Sequence, residues 1–332
     1  MKRKLVALLS LLLMISLLTA CGTKPTDVYN KKGAAEQSGP PVTLKIGQLP
    51  VIDGLPFWVA EKQDYYKKQG INVELITFKS ALERDAALEG GQIDGSLTDI
   101  IGAVTLFAKG TKLQITSLAL GATKEEGPFA ILAAPNSGIT SAEQLKGVEI
   151  GISTNSVIHY VTDKLLLENG LKQEEIKVTN IPQIPVRFEA LLSGQIKAAT
   201  LPEPLLSLAV MKGAKVILSD TQAKQNYSHS VIVFTDKAIQ EKGAAIRKFF
   251  GAYNAAVFDI QQRPTDFKEL LAEQAKLPAE IKDSYKVTPF SMAQAPVKGE
   301  LEAVVQWLLD KKIISSKVEY EQIVNKALFN SK

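Results

Sequence analysis

Short apolar runs alternate with amphipathic stretches along most of the chain. The runs are rich in β-branched residues, are typical of buried strands and lie at 42–49, 71–78, 113–118, 147–152, 176–181 and 215–218. Stretches with apolar spacing near 3.6, such as 56–69 and 156–169, separate them and stop before Gly70 and Gly170. This alternation predicts parallel βαβ units with right-handed crossovers.

The βαβ unit is present twice. The segments 84–94 (RDAALEGGQID) and 187–197 (RFEALLSGQIK) share Arg, Ala, Leu and Gly-Gln-Ile at identical offsets. A further glycine lies 19 residues after the glycine of each Gly-Gln-Ile. Gly-Gln-Ile alone is a common turn between a helix and a strand, but several features aligned in one order indicate two similar α/β lobes.

The C-terminal third is predicted to be helical. Apolar spacing near 3.6 recurs at 244–261, 266–276, 296–311 and 318–330. A strand at 230–235 precedes these helices, and a similar strand at 128–134 lies between the two copies. If one strand leaves the first lobe and one returns to it, that lobe is discontinuous, at 43–135 plus 230–332. The second lobe is then 136–229, behind a two-strand hinge, with the C-terminal helices packed on the first lobe.

The first forty residues are predicted to be an export signal and a tether. Lys2-Arg3-Lys4 precedes an apolar run at 5–18, which is too short to span a bilayer and is typical of a signal peptide covering 1–20. Leu18-Thr19-Ala20-Cys21 resembles the bacterial lipobox, which implies cleavage before Cys21 and a lipid on its sulfur. A secretory signal with an incidental cysteine is the alternative. The polar segment after Cys21, to residue 41, predicts a flexible tether.

Composition excludes several classes of protein. The 332 residues suggest about two domains. The net charge of +4 falls to +1 without Lys2, Arg3 and Lys4, and no basic stripe remains to bind nucleic acid. One Cys and two His exclude an intramolecular disulfide and argue against a metal centre. We therefore expect no metal and no cofactor.

Four segments carry a resemblance to a known family: 45–61, 91–94, 138–147 and 151–160. They are similar to segments of the extracytoplasmic solute-binding proteins of ABC importers, within the nitrate/sulfonate/taurine and thiamine-pyrimidine-precursor group. Gln144 replaces an Asp of that superfamily's motif, and Leu201-Pro202 stands where Trp or Tyr is frequent. The resemblance implies the type II periplasmic-binding fold, and we expect a monomer. It also implies a small ligand trapped between two lobes and delivered to a permease and its ATPase, without chemistry on the ligand.

Candidate ligand-binding residues lie in four loops, because ligands of open parallel sheets bind beyond the carboxyl ends of the strands. They are Asp53 and Phe57 (loop 50–58), Ser96, Thr98 and Asp99 (96–99), Ser153, Thr154, Asn155 and Ser156 (153–156), and Glu203 (201–204). Asp53, Ser96, Thr98 and Asp99 have an alternative role as helix caps. Phe57 is either a core residue or a platform for a planar ligand.

The types of these residues favour a polar organic solute. Four consecutive polar residues exceed what one helix cap needs, so 153–156 is predicted to bind the oxygens of an anionic group. Asp53, Asp99 and Glu203 favour an amino-bearing or protonated heterocyclic group. Together they predict a sulfonate/taurine-like or aminopyrimidine-like solute. Arg187 is the arginine that the sequence places near the cleft, but its match to Arg84 indicates a structural role.

A transport receptor is the favoured function, and we expect no enzymatic activity. The chain contains no G-x-S-x-G, no HExxH and no Gly-rich phosphate loop. The expected location is the outer face of a bacterial cell membrane, through the lipid anchor. Two alternatives stay open: an exported type II-fold enzyme of pyrimidine or quinone precursor metabolism, and a solute-sensing lipoprotein.

Overall fold

The computed structural model describes residues 41–127 and 129–329, and the chain from Pro41 onward forms one compact unit. The predicted signal peptide, Cys21 and the tether up to residue 40 lie outside the described residues. Ten strands lie within them: β1 Thr43–Gln48, β2 Asn72–Thr77, β3 Gly95–Asp99, β4 Leu113–Leu120, β5 Phe129–Ala133, β6 Glu149–Ile152, β7 Lys177–Asn180, β8 Ala198–Pro202, β9 Lys215–Ser219 and β10 Ser230–Thr235.

Eleven α-helices accompany these strands in the described part of the chain. They are α1 Leu55–Lys62, α2 Tyr65–Lys68, α3 Ala81–Glu89, α4 Ile100–Ala108, α5 Val157–Glu168, α6 Ile184–Leu192, α7 Leu205–Met211, α8 Asp236–Gln262, α9 Lys268–Gln274, α10 Lys298–Asp310 and α11 Tyr320–Ile323. None of them combines the length and the apolar content that crossing a membrane requires. Asp64 adopts a left-handed conformation (φ 56°) and divides the predicted helix 56–69 into α1 and α2. The predicted helix 318–330 shortens to the single turn of α11.

The strands form two five-stranded mixed sheets of the same topology. The first has the order β2-β1-β3-β10-β4 and the second the order β7-β6-β8-β5-β9. In each sheet four strands run in the same direction, and the fifth, β10 or β5, is inserted between two of them and is antiparallel to both neighbours. The predicted α/β class with two similar lobes is confirmed.

Strand β5, which was predicted in the first lobe, lies in the second sheet. It pairs with β8 and β9, with Phe129 opposite Pro202 and Ala130 opposite Ser219. A short apolar run carries no signal for which of two similar sheets it joins, so the sequence placed the boundary at residue 135 too late. Each sheet therefore receives one strand from the other half of the chain: β5 follows β4, and β10 follows β9.

The strand register shows where the two halves are connected. Ser230, at the start of β10, lies opposite Asp99 and Leu120, the last residues of β3 and β4. In the second sheet, the start of β5 lies beside the ends of β8 and β9. We call the carboxyl ends of β1, β2 and β3 edge 1, and those of β6, β7 and β8 edge 2. Both connections, the one that begins with 121–127 and the one at 220–229, lead directly from one edge to the other, so the two edges face each other.

The duplication is visible in the packing of both sheets. A Cβ added to Gly47 in β1 would lie 2.6 Å from Ile93 Cδ1 and 3.2 Å from Arg84 Cγ. The equivalent glycine in β6, Gly151, faces Ile196 Cδ1 at 2.6 Å and the Arg187 stem at 3.4 Å. In each lobe the aliphatic part of an arginine side chain therefore packs against a glycine in the first strand, where a larger residue would not fit.

The C-terminal helices pack mainly on the first lobe, as predicted. Helix α8 lies against α1 and α2, and α10 lies against α4. Helix α10 also reaches the second lobe, where Trp307 Nε1 donates to Asp163 Oδ2 at 2.9 Å and Lys311 Nζ lies 2.6 Å from the same oxygen. Asp163 is fully buried on α5, so this contact ties the lobes together outside the hinge.

Substitution of Gly95, at the start of β3, tests how closely β3 and β10 approach each other in the first sheet. A Cβ at this position would lie 2.5 Å from the carbonyl oxygen of Val233 and 2.7 Å from Phe234 Cδ1. Because a backbone oxygen can move only if β3 and β10 separate, we expect Gly95→Ala to lower the free energy of unfolding by about 1–3 kcal/mol. Urea denaturation followed by tryptophan fluorescence measures it.

Gly299→Ala is the matched control. Gly299 lies in the first turn of α10, and apart from its chain neighbours and the helix's own backbone no described atom lies within 4 Å of an added Cβ. Alanine has the higher helix propensity, so this variant should be as stable as wild type or slightly more stable. Equal stability of the Gly95→Ala variant and wild type would contradict the close approach of the two strands.

Candidate ligand-binding site

Two carboxylates lie at edge 1. Asp53 is in the single turn between β1 and α1, and Ser230 Oγ donates to its Oδ2 at 2.6 Å. Ser230 is in turn the cross-strand neighbour of Asp99. Burial raises the pKa of Asp53, and the hydrogen bond from Ser230 partly offsets that effect. Both aspartates are only partly buried, so a molecule between the edges can reach them.

Asp99 caps helix α4. Its Oδ1 accepts the N–H of Gly102 at 2.8 Å, which confirms the capping alternative for this residue. Burial nevertheless raises its pKa to about 6. Oδ1 serves as the cap, whereas Oδ2 forms no hydrogen bond to a described residue, so capping and ligand binding are compatible.

Arg84 supplies positive charge beneath these carboxylates. Its guanidinium donates to Leu97 O at 2.9 Å, to Thr98 Oγ1 at 2.7 Å and to Asp85 Oδ1 at 2.8 and 2.9 Å. Its charge moderates the raised pKa of both Asp53 and Asp99. Edge 1 thus holds a buried arginine that is fully hydrogen-bonded within its own lobe.

Three residues predicted to bind ligand at this edge are buried within the first lobe. Phe57 is fully buried and packs edge-on against Phe249 and Tyr253 of α8, at centroid distances of 5.4 and 6.0 Å. Ser96 and Thr98 are buried inside β3, which extends over the residues that were predicted as a loop. Their alternation with Leu97 is the period-2 pattern of a strand, so the prediction that they lie in a loop is wrong, and their role as ligand contacts stays a prediction.

Edge 2 presents the predicted polar loop 153–156. Ser156 caps α5 through a bond from the N–H of Ile158 at 3.2 Å, and its hydroxyl donates to the carbonyl of Ser153 at 2.7 Å. Asn155 is exposed, with a left-handed φ of 59°. The loop therefore combines a helix N-terminus with accessible polar side chains, as an anion-binding loop does.

Neighbouring side chains hold this loop in place. Asn180 Oδ1, at the end of β7, accepts the N–H of Thr154 at 3.1 Å, and His159 Nδ1 accepts the N–H of Asn155 at 3.3 Å. Burial lowers the pKa of His159, an effect that the carboxylate of Asp163 partly offsets. The neutral imidazole is the form that accepts this bond.

Arg187 lies beneath edge 2 and is fully buried. Its Nε donates to Thr200 O at 2.9 Å and its Nη1 to Ile181 O at 2.6 Å, whereas Nη2 has no partner among the described residues. Burial lowers its pKa to about 10, which leaves the guanidinium protonated at neutral pH. The match to Arg84 pointed to a structural role, and the sequence carried no signal for the unpaired nitrogen.

Glu203 directly follows β8 at the same edge. Its carboxylate accepts the hydroxyl of Ser207 at 2.7 Å and the N–H of Ser207 at 3.2 Å. Burial raises its pKa, and these two bonds partly offset the effect. The carboxylate also adds to the burial that raises the pKa of Tyr285. Glu203 therefore lies where edge 2 meets the C-terminal segment.

The two connections between the lobes are bonded to each other. Asn226 Nδ2 donates to the carbonyl of Thr123 at 3.1 Å, and Glu126 accepts the N–H groups of Gly121 and Ala122 at 2.8 and 2.9 Å. Both Glu126 and Asn226 are buried. The connections therefore form one paired hinge rather than two independent linkers.

No metal centre is evident in the described residues, where no group of three or more His, Cys, Asp or Glu side chains is placed to hold an ion. Both histidines are buried, and neither forms a hydrogen bond to a serine hydroxyl of the described chain. His229 Nε2 instead lies 3.2 Å from Glu300. A serine–histidine nucleophile pair is thus missing from this part of the protein.

Comparisons with known proteins point to one family. The sequence profile described as NMT1/THI5 like matches residues 52–266. A putative aliphatic sulfonates-binding protein of Bacillus subtilis is 27% identical over 288 residues, which cover 85% of this chain and 79% of that protein. A protein of the same description from Escherichia coli is 25% identical over 293 residues. That match covers 87% of this chain and 90% of the Escherichia coli protein.

Solved structures share the fold. The alkanesulfonate-binding protein of Xanthomonas axonopodis pv. citri, bound to MOPS, superposes with a TM-score of 0.74 at 17% identity. The match covers 87% of this chain and all of that one. At this identity the likeness establishes the architecture alone, which is the type II periplasmic-binding fold.

The raised pKa of Asp99 predicts a pH-dependent stability. A carboxyl whose folded pKa is near 6 and whose unfolded pKa is near 3.8 stabilises the fold below pH 4, and that contribution is lost as the pH rises through 6. Asp99→Asn keeps a capping side chain without the charge. The variant should therefore gain stability relative to wild type by about 1–2 kcal/mol between pH 4 and pH 7.

Unfolding free energies measured at several pH values test this expectation. Asp283→Asn, at an exposed position, serves as the control substitution. A stability difference between Asp99→Asn and wild type that does not change with pH would show that Asp99 titrates as an ordinary exposed carboxyl.

Proposed function

The chain belongs to the NMT1/THI5-like family, and on that premise we propose that it is the extracytoplasmic substrate-binding protein of an ABC importer. Edges 1 and 2 face each other, and each presents partly exposed polar side chains. This is the observation that carries the proposal, since a site divided between two connected lobes closes around a solute and opens to release it.

A small polar organic solute fits the residues at the two edges. The loop 153–156 with the N-terminus of α5 suits the oxygens of an anionic group. Asp53, Asp99 and Glu203 suit a group that donates hydrogen bonds. The names of the relatives add aliphatic sulfonates as the first class to test. A sulfonate/taurine-like solute is therefore favoured over an aminopyrimidine-like one.

The paired hinge supports a mechanism of lobe closure. The connections 121–127 and 220–229 are bonded to each other, so they bend together. The closed, loaded form then docks on the permease, and ATP hydrolysis by the importer drives release. The proposed function requires binding of the solute without chemistry on it.

The amino-terminal residues complete the proposal. Residues 1–20 act as a lipoprotein signal peptide, Cys21 carries the lipid, and the segment up to residue 41 tethers a monomeric binding unit. This places the protein on the outer face of the cell membrane, next to its permease. Labelling of cells with a radioactive fatty acid should mark the wild-type protein and leave a Cys21→Ala variant unmarked.

A thermal-shift panel on the full chain in detergent tests the ligand class. The panel contains alkanesulfonates, taurine, nitrate and aminopyrimidines, and the protein is first refolded to remove any carried-over ligand. A sulfonate at 100 times its Kd should add about 2.7 kcal/mol to stability and raise the Tm by several degrees. A rise with aminopyrimidines alone would contradict the sulfonate assignment. No rise with any compound would contradict the receptor function for this class of solutes.

Lobe closure is tested separately by solution X-ray scattering. Saturating amounts of a ligand found in the panel should reduce the radius of gyration, because rotation about the hinge brings the lobes together. A compound that causes no thermal shift is the control and should leave the scattering unchanged. Identical profiles with and without the ligand would contradict the closure mechanism.

A further inference from the structure

Two equivalent arginines differ in the charges around them. Each guanidinium donates to the backbone carbonyl of the residue thirteen positions later in the chain. Arg84 bonds Leu97 O, and Arg187 bonds Thr200 O. In the first copy Asp85 pairs with Arg84 at 2.8 Å. The equivalent residue in the second copy is Phe188, which is apolar and buried.

The other partners are also replaced. The hydroxyl of Thr98 accepts from Arg84, whereas Leu201 occupies the equivalent position in β8. Asp99 corresponds to Pro202. None of the described carboxylates forms an ion pair with Arg187, and its Nη2 has no hydrogen-bond partner there. The second copy therefore keeps the buried cation and loses every anionic or hydroxyl partner of the first.

A buried, protonated guanidinium without a counter-charge is costly. Arg187 lies beside Gly151, at the carboxyl end of β6, and donates to Ile181, whose own N–H donates to Ile152 O at 2.7 Å. The loop 153–156 leaves the sheet at this point and leads into the N-terminus of α5. Neither the loop 153–156 nor the first turn of α5 contains an acidic side chain, and the helix N-terminus adds positive potential.

Edge 1, in contrast, is rich in carboxylates. Asp53, Asp99 and Asp85 surround one arginine, and the exposed Lys79 and Glu83 at the same edge carry opposite charges. At edge 2 the Glu203 carboxylate lies beside the loops, is bonded to the first turn of its own helix and has a raised pKa. The facing edges therefore have a charge difference that a bipolar solute would complement.

We infer that the solute is bipolar and binds in one orientation: its anionic group lies at edge 2, where it balances Arg187, and its hydrogen-bond-donating or cationic group lies at edge 1 against Asp53 and Asp99. This inference rests on the proposed function. It goes further by requiring both groups on one molecule, and it assigns each lobe to one end of that molecule.

Three probe compounds of similar size test the polarity in the full chain by calorimetry. Taurine carries an amine and a sulfonate, ethanesulfonate carries the sulfonate alone, and ethanolamine carries the amine alone. Wild type should bind taurine more tightly than ethanesulfonate, and ethanolamine most weakly. If neither sulfonate binds, the proposed function fails for this class and the inference fails with it.

Substitutions then separate the two ends. Thr154→Asp adds a negative charge to a partly buried loop position at edge 2 and should weaken both sulfonates about tenfold or more, with their ratio unchanged. Ser316→Asp, in the exposed loop between α10 and α11, is the control and should leave binding unchanged. Asp53→Asn should weaken taurine and spare ethanesulfonate, so that their affinities converge.

Two substitutions test the role of Arg187, one that removes its positive charge and one that keeps it. Arg187→Gln should weaken both sulfonates about as much as Thr154→Asp, and Arg187→Lys should retain more of the binding. Unfolding midpoints without ligand identify any variant that fails to fold, and Thr154→Asp decides the question in that case. The orientation is overturned if Thr154→Asp leaves sulfonate binding intact, or if Asp53→Asn weakens ethanesulfonate as much as taurine, while wild type binds both.

Discussion

The position of the two connections is the constraint on which the rest of the structure depends. Because β10 starts beside the ends of β3 and β4, and β5 starts beside the ends of β8 and β9, each crossing joins one carboxyl edge to the other. The loops that follow parallel strands therefore project toward the opposite lobe. A site built from both halves of the chain follows from this strand order, whatever side chains occupy the loops.

The two lobes share the packing around the stems of Arg84 and Arg187 but differ in the side chains around the guanidinium groups. The glycine in β1 or β6, the isoleucine beyond it and the arginine stem pack in the same way in both lobes. The side chains around the arginine head then differ: Asp85 and Thr98 in the first copy, Phe188 and Leu201 in the second. Both arginines donate to a backbone carbonyl at the equivalent position, but only Arg84 also pairs with a carboxylate.

The features that repeat along the chain were predictable, and those that depend on distant pairing were not. Alternation and the two copies of Gly-Gln-Ile led to the α/β class and to the strands, and polar runs after strands led to Asp53, Asp99 and the 153–156 loop. Sheet membership of β5 is decided by pairing with β8 and β9, which a five-residue apolar run does not encode. Phe57 was ambiguous because an aromatic residue in a first helical turn faces either a ligand or a neighbouring helix, and here α8 covers it. The unpaired nitrogen of Arg187 appears only once the surroundings of both arginines are compared.

Helix α5 links the ligand loop to the contact between the lobes. At its start, His159 accepts the N–H of Asn155, and its ring lies edge-on to Trp307, with centroids 5.1 Å apart. One turn later, Asp163 binds the Trp307 indole of α10 and the ammonium of Lys311, which directly follows that helix. Helix α10 itself packs on α4. Separation of α5 from α10 would break both contacts of the Asp163 carboxylate, with the Trp307 indole and with the Lys311 ammonium. Lobe movement is therefore expected to pivot close to this contact, so that the edges open while α5 and α10 stay together.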